Sequence, residues 1–541
     1  MAATRSMQDA QQMAAQFFTS RPQGIRASQH GNALQHEWTA LQSDGAPAFY
    51  VFNRGEEDGF IIVSAEDRAR TILAYSDEGH FSRENIPVNT RAWLDEYTRS
   101  IQQVAKAPQA HNAPAPQPKK YTPVSKICMT RWGQDSPYNL LCPKINGQRT
   151  ATGCVATAAA QIMKVYQYPT VGVGDHSYTW NDTVLSVDCA NTTYQWSLMK
   201  NNYGSTSSTT QEQKNAVATL MYHCGVTCEM TYGLASTGGS WAYFDYMMYA
   251  LMRNFDYDWG VRMLLKDYTG EEAFLDSLSS EFQNGRPIYF SARTKNDEGH
   301  AFIGDGIDAD GRVHVNWGWN GNSDGFYQVS AMDPENQGTG GSSGNYAYTY
   351  RVCAYTHLHP NQGGKARYTF NCAKMVIENE RIKRNETPSI KLDTMENTSL
   401  FNWSGDRVLL IYKNGQLFDV CAQNNAGALG PYYYYYYFRI CPSLAQIPEG
   451  DYTVVPALAV DEQPDVYEPI FALGKGICRF PMRVTADSIL MGSAGPTPEW
   501  EALDNISYEQ KGQKYIENGQ VLIECNDTRY NLLGTEVERK K

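Results

Sequence analysis

The sequence has no excess of positive charge and no long apolar run, and each absence excludes a class of protein. Its 541 residues carry 46 Lys and Arg against 58 Asp and Glu, which gives a formal net charge of −12. A nucleic-acid-binding chain would need a basic face, so we expect no nucleic-acid partner. No stretch of about 18 consecutive apolar residues occurs, so we expect no membrane span.

The first residues also lack the apolar segment that is typical of a secretory signal peptide. This absence is compatible with a cytoplasmic protein, or with an exported chain whose signal has been removed. The many Tyr, Asn and Gly residues and a strand-rich second half favour export. We therefore expect a secreted or cell-surface protein whose signal peptide is absent from this chain.

The twelve cysteines show neither a disulfide framework nor a metal-binding pattern. They are widely spaced, and we interpret most of them as buried thiols that act as small apolar residues. His223, Cys224 and Cys228 lie close together in the chain, but no second pair of ligands stands at zinc spacing. We therefore expect no metal and no organic cofactor.

Composition and hydrophobic periodicity divide the chain into three parts. Residues 1–118 predict a small α+β unit that ends in a proline-rich linker at 106–120, an exposed segment of the kind that proteases cut. Residues 119–362 predict a helical half followed by an antiparallel β half. Residues 363–541 predict short strands only, typical of β-sandwich-like modules. The predicted fold class is therefore α+β.

Cys154 is the strongest candidate for chemistry because it stands at the start of an alanine-rich helical segment. The unpaired N–H groups and the positive end of the helix dipole favour a thiolate, which is the nucleophilic form of cysteine. His300 begins a predicted strand 146 residues further along (300 − 154). This separation lies in the range of about 130–150 residues found in papain-like enzymes. Together the two residues predict a cysteine-nucleophile hydrolase with a site between the helical and β lobes.

Other interpretations of these residues remain open at this point. Cys154 could be one more buried thiol, and a lone strand histidine such as His300 is often a satisfied core residue. His314, in the middle of the next strand, competes as the base, although packing or solvent exposure suits it better. Asn316 could fix the tautomer and ring plane of His300. Trp317 beside it could simply be a core aromatic.

Six segments, in this order and at this spacing, resemble the streptopain family of bacterial cysteine peptidases, a branch of the papain-like fold. They lie at residues 132–143, 151–164, 230–233, 299–302, 313–319 and in a glycine-rich loop at 338–344. The resemblance covers about residues 1–360. It implies a two-lobe papain-like catalytic domain, protein or peptide substrates, and an exported zymogen that is cleaved in the linker.

The resemblance also implies the roles of the reacting groups. Cys154 would be the nucleophile, and His300 the general base and later the general acid. The side-chain amide of Gln134 would form the oxyanion hole together with the N–H of Cys154.

Four further positions are matched to the family in the same way. Asn316 and Trp317 resemble the pair beside the catalytic histidine. Ser236 and Gly299 resemble positions that contact the substrate backbone.

Residues 1–118 would then act as an intramolecular inhibitor, a prodomain. We hypothesise that the segment at 76–88, between the third predicted strand and the second predicted helix, blocks the cleft or displaces His300. The sequence thus predicts a secreted cysteine endopeptidase that is made as a zymogen and cuts its own linker.

Two other functions are compatible with the same residues. One is a thiol acyltransferase or amidase that uses the Cys154–His300 pair. The other is a non-catalytic surface-binding protein whose C-terminal β modules bind a partner.

Overall fold

The computed structural model describes most of the chain. The described residues are 4–20, 34–106, 120–204, 208–293, 299–329, 351–423, 427–463, 465–493, 513–517, 520–525 and 528–531. The predicted glycine-rich loop at 338–344 lies outside them, as does the predicted linker apart from its two end residues.

Seven α-helices occur in the described residues, all in the first 368. They are α1 (Met7–Ser20), α2 (Val88–Lys106), α3 (Cys154–Tyr166), α4 (Gln211–Thr227), α5 (Phe244–Asn254), α6 (Lys266–Thr269) and α7 (Glu271–Gln283). The periodicity predicts all of these except the short α6. The start of α4 is fixed by a capping box, in which Thr210 and Gln213 each accept a hydrogen bond from the other's backbone N–H.

The strands of the same part of the chain are short, and neighbours pair antiparallel. They are β1 (Leu34–Leu41), β2 (Pro47–Arg54), β3 (Phe60–Ser64), β4 (Ile72–Ser76), β5 (Lys144–Ile145), β6 (Gln148–Arg149), β7 (Asp175–Trp180), β8 (Thr183–Asp188), β9 (Arg262–Leu265), β10 (Ile288–Arg293), β11 (Gly299–Ile307), β12 (Val313–Asn316), β13 (Gly325–Tyr327) and β14 (Arg351–Thr356).

Ten of these strands form one sheet, in the order β1-β2-β3-β4-β13-β12-β11-β10-β14-β9. The predicted hairpin near the N-terminus is the pair β2 and β3. At the centre, β4 pairs with β13, so that Tyr75 lies opposite Phe326. Gly325 permits this approach, because a Cβ there would lie 2.6 Å from the carbonyl oxygen of Tyr75. The sheet therefore continues across the predicted prodomain boundary at residue 118.

Helix α3 lies at the junction of the helical lobe and this sheet. Residues 155–163 are all buried, and α3 packs against α4, α5 and β11. The alanines at 156 and 158–160 are small enough to let these elements approach closely. This packing sets the position of Cys154 at the N-terminal end of α3.

Five strand regions of this part of the chain were not predicted. β1 and β9 lie at the two edges of the large sheet, β14 lies beside β9, and β5 pairs with β6. β7 and β8 form a separate two-stranded hairpin.

Residues 369–398 and 402–541 form a second unit, separate from residues 1–368 and 399–401. Its described residues contain strands and no helix, as predicted. The strands are β15 (Phe370–Cys372), β16 (Lys374–Ile377), β17 (Arg381–Lys383), β18 (Ile390–Asn397), β19 (Trp403–Gly405), β20 (Arg407–Lys413), β21 (Gln416–Ala422), β22 (Gly427–Leu429), β23 (Tyr434–Ile440), β24 (Gly450–Ala459), β25 (Tyr467–Ala472), β26 (Gly476–Ile477), β27 (Phe480–Val484), β28 (Ser488–Met491), β29 (Gln513–Glu517), β30 (Gln520–Cys525) and β31 (Thr528–Asn531).

The α+β class with an all-β C-terminal region is thus confirmed. The two domain boundaries, at 118/119 and 362/363, stay predictions. Among the described helices, none is long and apolar enough to cross a membrane.

Candidate active site

Cys154 is the first residue of α3, and the residue before it has to be glycine. Gly153 has a φ of +87°, which favours glycine. A Cβ at this position would also lie 2.8 Å from Met230 Sδ and 3.1 Å from the carbonyl oxygen of Ser240. The turn that presents Cys154 is therefore closely covered by the segment that begins at Met230.

The thiol of Cys154 lies beside the strand that carries His300. The backbone N–H of Ala301, the residue after His300, donates to Cys154 Sγ at 3.4 Å. Both Cys154 and His300 are half-buried. The structure therefore brings together the two residues that the sequence separates by 146 positions.

The electrostatic setting of the thiol differs from the expectation. Burial raises the pKa of Cys154, and the N–H groups of Ala301, Val155 and Cys154 itself lower it by less than burial raises it. The helix start is present, as predicted, but its effect is smaller than the loss of hydration. In this structure the thiol is therefore favoured over the thiolate.

Gln134 lies in a segment that runs alongside the chain leading to Cys154. The N–H of Thr152 donates to the carbonyl oxygen of Gln134 at 3.0 Å, and Gln134 itself is buried. The preceding Gly133 lies against Asn320, whose side chain would be 2.5 Å from a Cβ at that glycine. The position of Gln134 is thus fixed from two sides.

Asn316 takes part in a buried hydrogen-bonded cluster, and its predicted role beside His300 stays a prediction. Its Oδ1 accepts hydrogen bonds from Gln161 Nε2 at 3.2 Å and from the N–H of Gly318 at 3.0 Å. Its Nδ2 donates to the carbonyl oxygen of Thr130 at 2.7 Å. Both lone pairs of Oδ1 therefore have a donor in this structure. Asn316 connects β12 to α3 and to the segment that leads to Gln134.

Gln161 was not predicted as a site residue, although it lies in a segment that the sequence singles out. Its Oε1 accepts from Thr130 Oγ1 at 2.7 Å and, more weakly, from the N–H of Trp132 at 3.4 Å. The residue is fully buried. A glutamine on an otherwise apolar helix face is the signal that could have found it, because a buried amide requires partners.

Trp317 is a fully buried core aromatic, which was one of its two interpretations. Its ring contacts Phe302 and Tyr327 at centroid distances of 4.9 and 5.3 Å. From the predicted prodomain, the ring of Trp93 contacts it at 5.8 Å, and Asn89 Nδ2 donates to its carbonyl oxygen at 3.0 Å. Trp317 thus joins the strand beside His300 to α2. A direct role beside the histidine stays a prediction.

Ser236 lies in the segment that covers Gly153, whereas Gly299 is the first residue of β11. Ser236 is exposed on a single 3₁₀ turn, Ala235–Thr237. At the base of that turn, Ser240 Oγ donates to the carbonyl oxygen of Ala151 at 2.7 Å. Gly299 lies against Phe244, whose ring would be 2.9 Å from a Cβ at that glycine. Contact of either residue with a substrate backbone stays a prediction.

The competing histidine has a structural partner. His314 is buried, and its Nδ1 lies 2.6 Å from Asp305 Oδ1. Burial lowers the pKa of His314, but the charge and hydrogen bond of Asp305 together with the charge of Asp324 outweigh it, so the pKa is raised. The other oxygen of Asp305 accepts the N–H of Cys128 at 2.7 Å. His314 therefore fixes β12 and the segment before Gln134.

His223, which lies close to Cys224 and Cys228 in the chain, contacts a tyrosine and another cysteine. The hydroxyl of Tyr194 lies 3.0 Å from His223 Nδ1, and Cys189 Sγ lies 3.8 Å from the same nitrogen. Burial lowers the pKa of His223 to about 4. Within the described ranges, no group of three or more His, Cys, Asp and Glu is arranged to hold a metal ion.

Comparison with known families agrees with this arrangement. Residues 132–327 match the model of the Peptidase C10 family. Residues 2–101 match the model named Spi protease inhibitor.

Two curated relatives have similar levels of identity. Streptopain of Streptococcus pyogenes is 33% identical over 320 residues, which cover 55% of this chain and 77% of streptopain. The thiol protease/hemagglutinin PrtT of Porphyromonas gingivalis is 32% identical over 359 residues, 63% of this chain. The matched region spans only 41% of PrtT.

Two solved structures from Prevotella intermedia are also similar. A fragment of prointerpain A, in a mutant form, is 34% identical with a TM-score of 0.49, and the match covers 60% of this chain and 99% of the fragment. Active wild-type interpain A cysteine protease is 37% identical with a TM-score of 0.38, and the match covers 46% of this chain and all of that one.

The residues that match the family model include Gln134, Cys154 and His300. The similarity to streptopain extends over more than three quarters of that protein. The chain therefore belongs to the Peptidase C10 family and is a cysteine peptidase.

Proposed function

We propose that this chain is a cysteine endopeptidase made as a zymogen, in which Cys154 and His300 form the catalytic pair. The observation that carries the proposal is the hydrogen bond from the Ala301 N–H to Cys154 Sγ. The thiol, at the N-terminus of α3, therefore lies beside Ala301, the residue that follows His300. A thiol at a helix start next to a histidine is the arrangement that nucleophilic catalysis by cysteine requires.

The proposed reaction proceeds through an acyl-enzyme. The thiolate of Cys154 attacks the peptide carbonyl carbon, and the carbonyl oxygen becomes an oxyanion held by the Cys154 N–H and the side-chain amide of Gln134. His300, which has taken up the proton of the Cys154 thiol, then donates it to the amine nitrogen as the carbon–nitrogen bond breaks and a thioester to Cys154 remains. Water, activated by His300, hydrolyses the thioester and restores the thiol. No step in this sequence requires a metal or an organic cofactor.

Protein or peptide chains are the proposed substrates. Ser236 lies on an exposed turn of the segment that covers Gly153, and Gly299 directly precedes His300 at the start of β11, which supports their proposed contacts with the substrate backbone. The composition of the chain favours export, and we propose that it acts as a secreted or cell-surface enzyme.

The N-terminal region is the proposed intramolecular inhibitor. The match to an inhibitor family and the pairing of β4 with β13 both support this role. The contacts of Trp93 and Asn89 with Trp317 add a second attachment, close to the strand that carries His300.

The proposed blocking segment at 76–88 has its own attachment to the catalytic region. The carboxylate of Glu78 pairs with Lys126 and, at 3.0 Å, with Arg131. Arg131 is three residues from Gln134. We propose that Glu78, at the start of the segment, and Asn89, just beyond its end, hold the N-terminal region over the site.

A cysteine-to-alanine substitution tests the proposed function directly. The pure Cys154→Ala chain is expected to remain intact in the linker under reducing conditions, whereas the wild-type chain cuts itself, because only the former lacks the nucleophile. Sequencing of new N-termini after incubation measures this. The half-buried Cys441 provides the matched control, and Cys441→Ala is expected to process normally. Linker cleavage in pure Cys154→Ala would contradict the intramolecular route.

The same incubation separates hydrolysis from acyl transfer. With a synthetic peptide and an added amine acceptor, a hydrolase is expected to give free acid as the main product. A product that carries mainly the amine would favour the transferase alternative.

The reactivity of Cys154 is expected to depend on whether the N-terminal region is attached. Burial raises the pKa of Cys154, so in the intact chain alkylation should accelerate only as pH rises above the ordinary thiol range of about 8.5. After processing, the inflection is expected to move below that range. Iodoacetamide labelling against pH, followed by mass spectrometry of the Cys154 peptide, measures both. An intact chain that is labelled rapidly at pH 6–7 would show that the thiol is not suppressed.

Loss of the Glu78 charge is expected to hasten activation. Burial alone would raise the pKa of Glu78, but Lys126 and Arg131 lower it overall. The ion pair therefore stabilises the attachment of the N-terminal region at pH values above the ordinary glutamate pKa of about 4.3. This stabilisation is lost as pH falls through the lowered pKa that Glu78 has in the folded chain. Glu78→Gln should process faster than wild type at neutral pH, and its processing rate should lack the acceleration that wild type shows on acidification.

The exposed Glu84 in the same segment gives the control. Glu84→Gln is expected to follow the wild-type profile. Equal rates for Glu78→Gln and Glu84→Gln at neutral pH would exclude the ion pair as a latch.

A further inference from the structure

The peptide bond between Gly153 and Cys154 carries the N–H that the proposed mechanism assigns to the oxyanion hole. A peptide unit is planar and trans, so its C=O and its N–H point in opposite directions. Hydrogen bonds to the carbonyl oxygen of Gly153 therefore also fix the direction of the Cys154 N–H. The groups that bind this oxygen decide whether the oxyanion donor is held in place before a substrate binds.

Two groups of Thr157 donate to the carbonyl oxygen of Gly153. The backbone N–H of Thr157 donates to it at 3.1 Å, and the hydroxyl group donates to it at 2.9 Å. The first bond is the ordinary bond that opens a helix, whereas the second is supplied by this side chain alone. Both residues are buried, so the hydroxyl bond is shielded from competing water.

The hydroxyl group of Thr157 is itself held in one direction. It lies 3.0 Å from Thr152 Oγ1. Because the single hydroxyl hydrogen of Thr157 is used on Gly153, the hydrogen in this second bond comes from Thr152. The other acceptor near the Thr152 hydroxyl, the carbonyl oxygen of Gln134, is further away at 3.5 Å. On its other side, Thr157 Cγ2 lies against Gly318, 3.2 Å from where a Cβ of that glycine would be.

The same two threonines connect the two halves of the proposed oxyanion hole. The N–H of Thr152 donates to the carbonyl oxygen of Gln134 at 3.0 Å, and the side-chain amide of Gln134 is the second proposed donor. A line of hydrogen bonds therefore runs from Thr152 through Thr157 to the peptide unit before Cys154. Hydrogen bonds in a line polarise one another, so the bond to the Gly153 oxygen also makes the Cys154 N–H a stronger donor.

We propose that Thr157 is a positioning residue for the oxyanion hole: its hydroxyl group, supported by that of Thr152, aims the Cys154 N–H at the oxygen of the tetrahedral intermediate. The proposal rests on the proposed peptidase function. Thr157 acts through the Gly153 carbonyl and not on the thiol itself. Its loss therefore affects the steps that form an oxyanion and leaves the reactivity of the thiol unchanged.

Two probes separate the oxyanion hole from the thiol. A peptide aldehyde adds the Cys154 thiol reversibly across its C=O bond, so that sulfur joins the carbon and the former carbonyl oxygen lies in the oxyanion hole. Iodoacetamide alkylates the same sulfur, releases iodide and forms no oxyanion. Each full-length variant is processed by a trace of tagged wild type that is then removed. It is assayed with both probes and with a peptide substrate.

Thr157→Val keeps the shape of the side chain and removes its hydroxyl group. We expect kcat to fall about tenfold with little change in KM, and the affinity for the aldehyde to fall by a similar factor. Removal of a whole oxyanion donor costs about 10²–10³ in rate, and misdirection of one costs part of that. The rate of iodoacetamide labelling and its pH dependence should equal those of wild type. Thr157→Ser, which restores the hydroxyl group, should recover most of both losses.

Thr227 on α4 provides the matched control. It is buried, and its hydroxyl group donates to the carbonyl oxygen of His223, four residues back, at 2.8 Å. Thr227→Val removes the same kind of bond in a different helix and should leave kcat, aldehyde affinity and labelling at wild-type values. Thr152→Val removes the donor to the Thr157 hydroxyl and should lower kcat and aldehyde affinity by about threefold. Circular dichroism checks that each variant is folded.

The proposal is overturned if folded Thr157→Val matches Thr227→Val in kcat and aldehyde affinity, or if Thr157→Ser is as impaired as Thr157→Val. It is also overturned if Thr157→Val slows iodoacetamide labelling by the same factor as kcat, because the residue then acts on the thiol. Should Thr157→Val not fold, equality of Thr152→Val and Thr227→Val has the same meaning. In each case the peptidase stands, whereas a processed wild type that cleaves no peptide and binds no aldehyde contradicts the proposed function itself.

Discussion

The site depends on one buried hydrogen-bonded cluster, centred on the side chain of Gln161. Through this amide and that of Asn316, helix α3, strand β12 and the segment from Thr130 toward Gln134 are connected to one another. Each buried amide group that is left without a hydrogen-bond partner costs about 1–3 kcal/mol of folding free energy. Helix α3, strand β12 and the segment after Thr130 therefore have one favoured arrangement. Cys154 lies at the end of α3, and its position relative to Gln134 follows from this cluster.

The N-terminal region packs against the same part of the chain and limits its arrangement further. Because β4 adds to the sheet beside β13, the N-terminal region shares its core with the strand that carries His300. The rings of Trp93, Phe302 and Trp317 pack together in that shared core. Burial raises the pKa of the Cys154 thiol, and polar contacts such as that of Glu78 with Arg131 attach the N-terminal region to the segment before Gln134.

Much of this could be predicted from the sequence, and the failures have physical causes. The helix start at Cys154 and the strand at His300 follow from local patterns, and the structure contains both. The sequence does not show how a side chain shares its hydrogen bonds, so the contacts of the Asn316 oxygen with Gln161 and Gly318 were not predicted. Helix position alone likewise predicts a thiolate, whereas burial, a property of the folded chain, outweighs it.

From these contacts we infer that the Gln161 cluster positions Cys154 relative to Gln134. The most direct test compares Gln161→Met, which keeps the volume and removes the hydrogen bonds, with Met163→Leu, a volume-conserving change two residues along α3. In processed enzyme we expect Gln161→Met to lower kcat by about tenfold or more with little change in KM, because a small misplacement of reacting groups is costly. A kcat for folded Gln161→Met equal to that of Met163→Leu would contradict the claim.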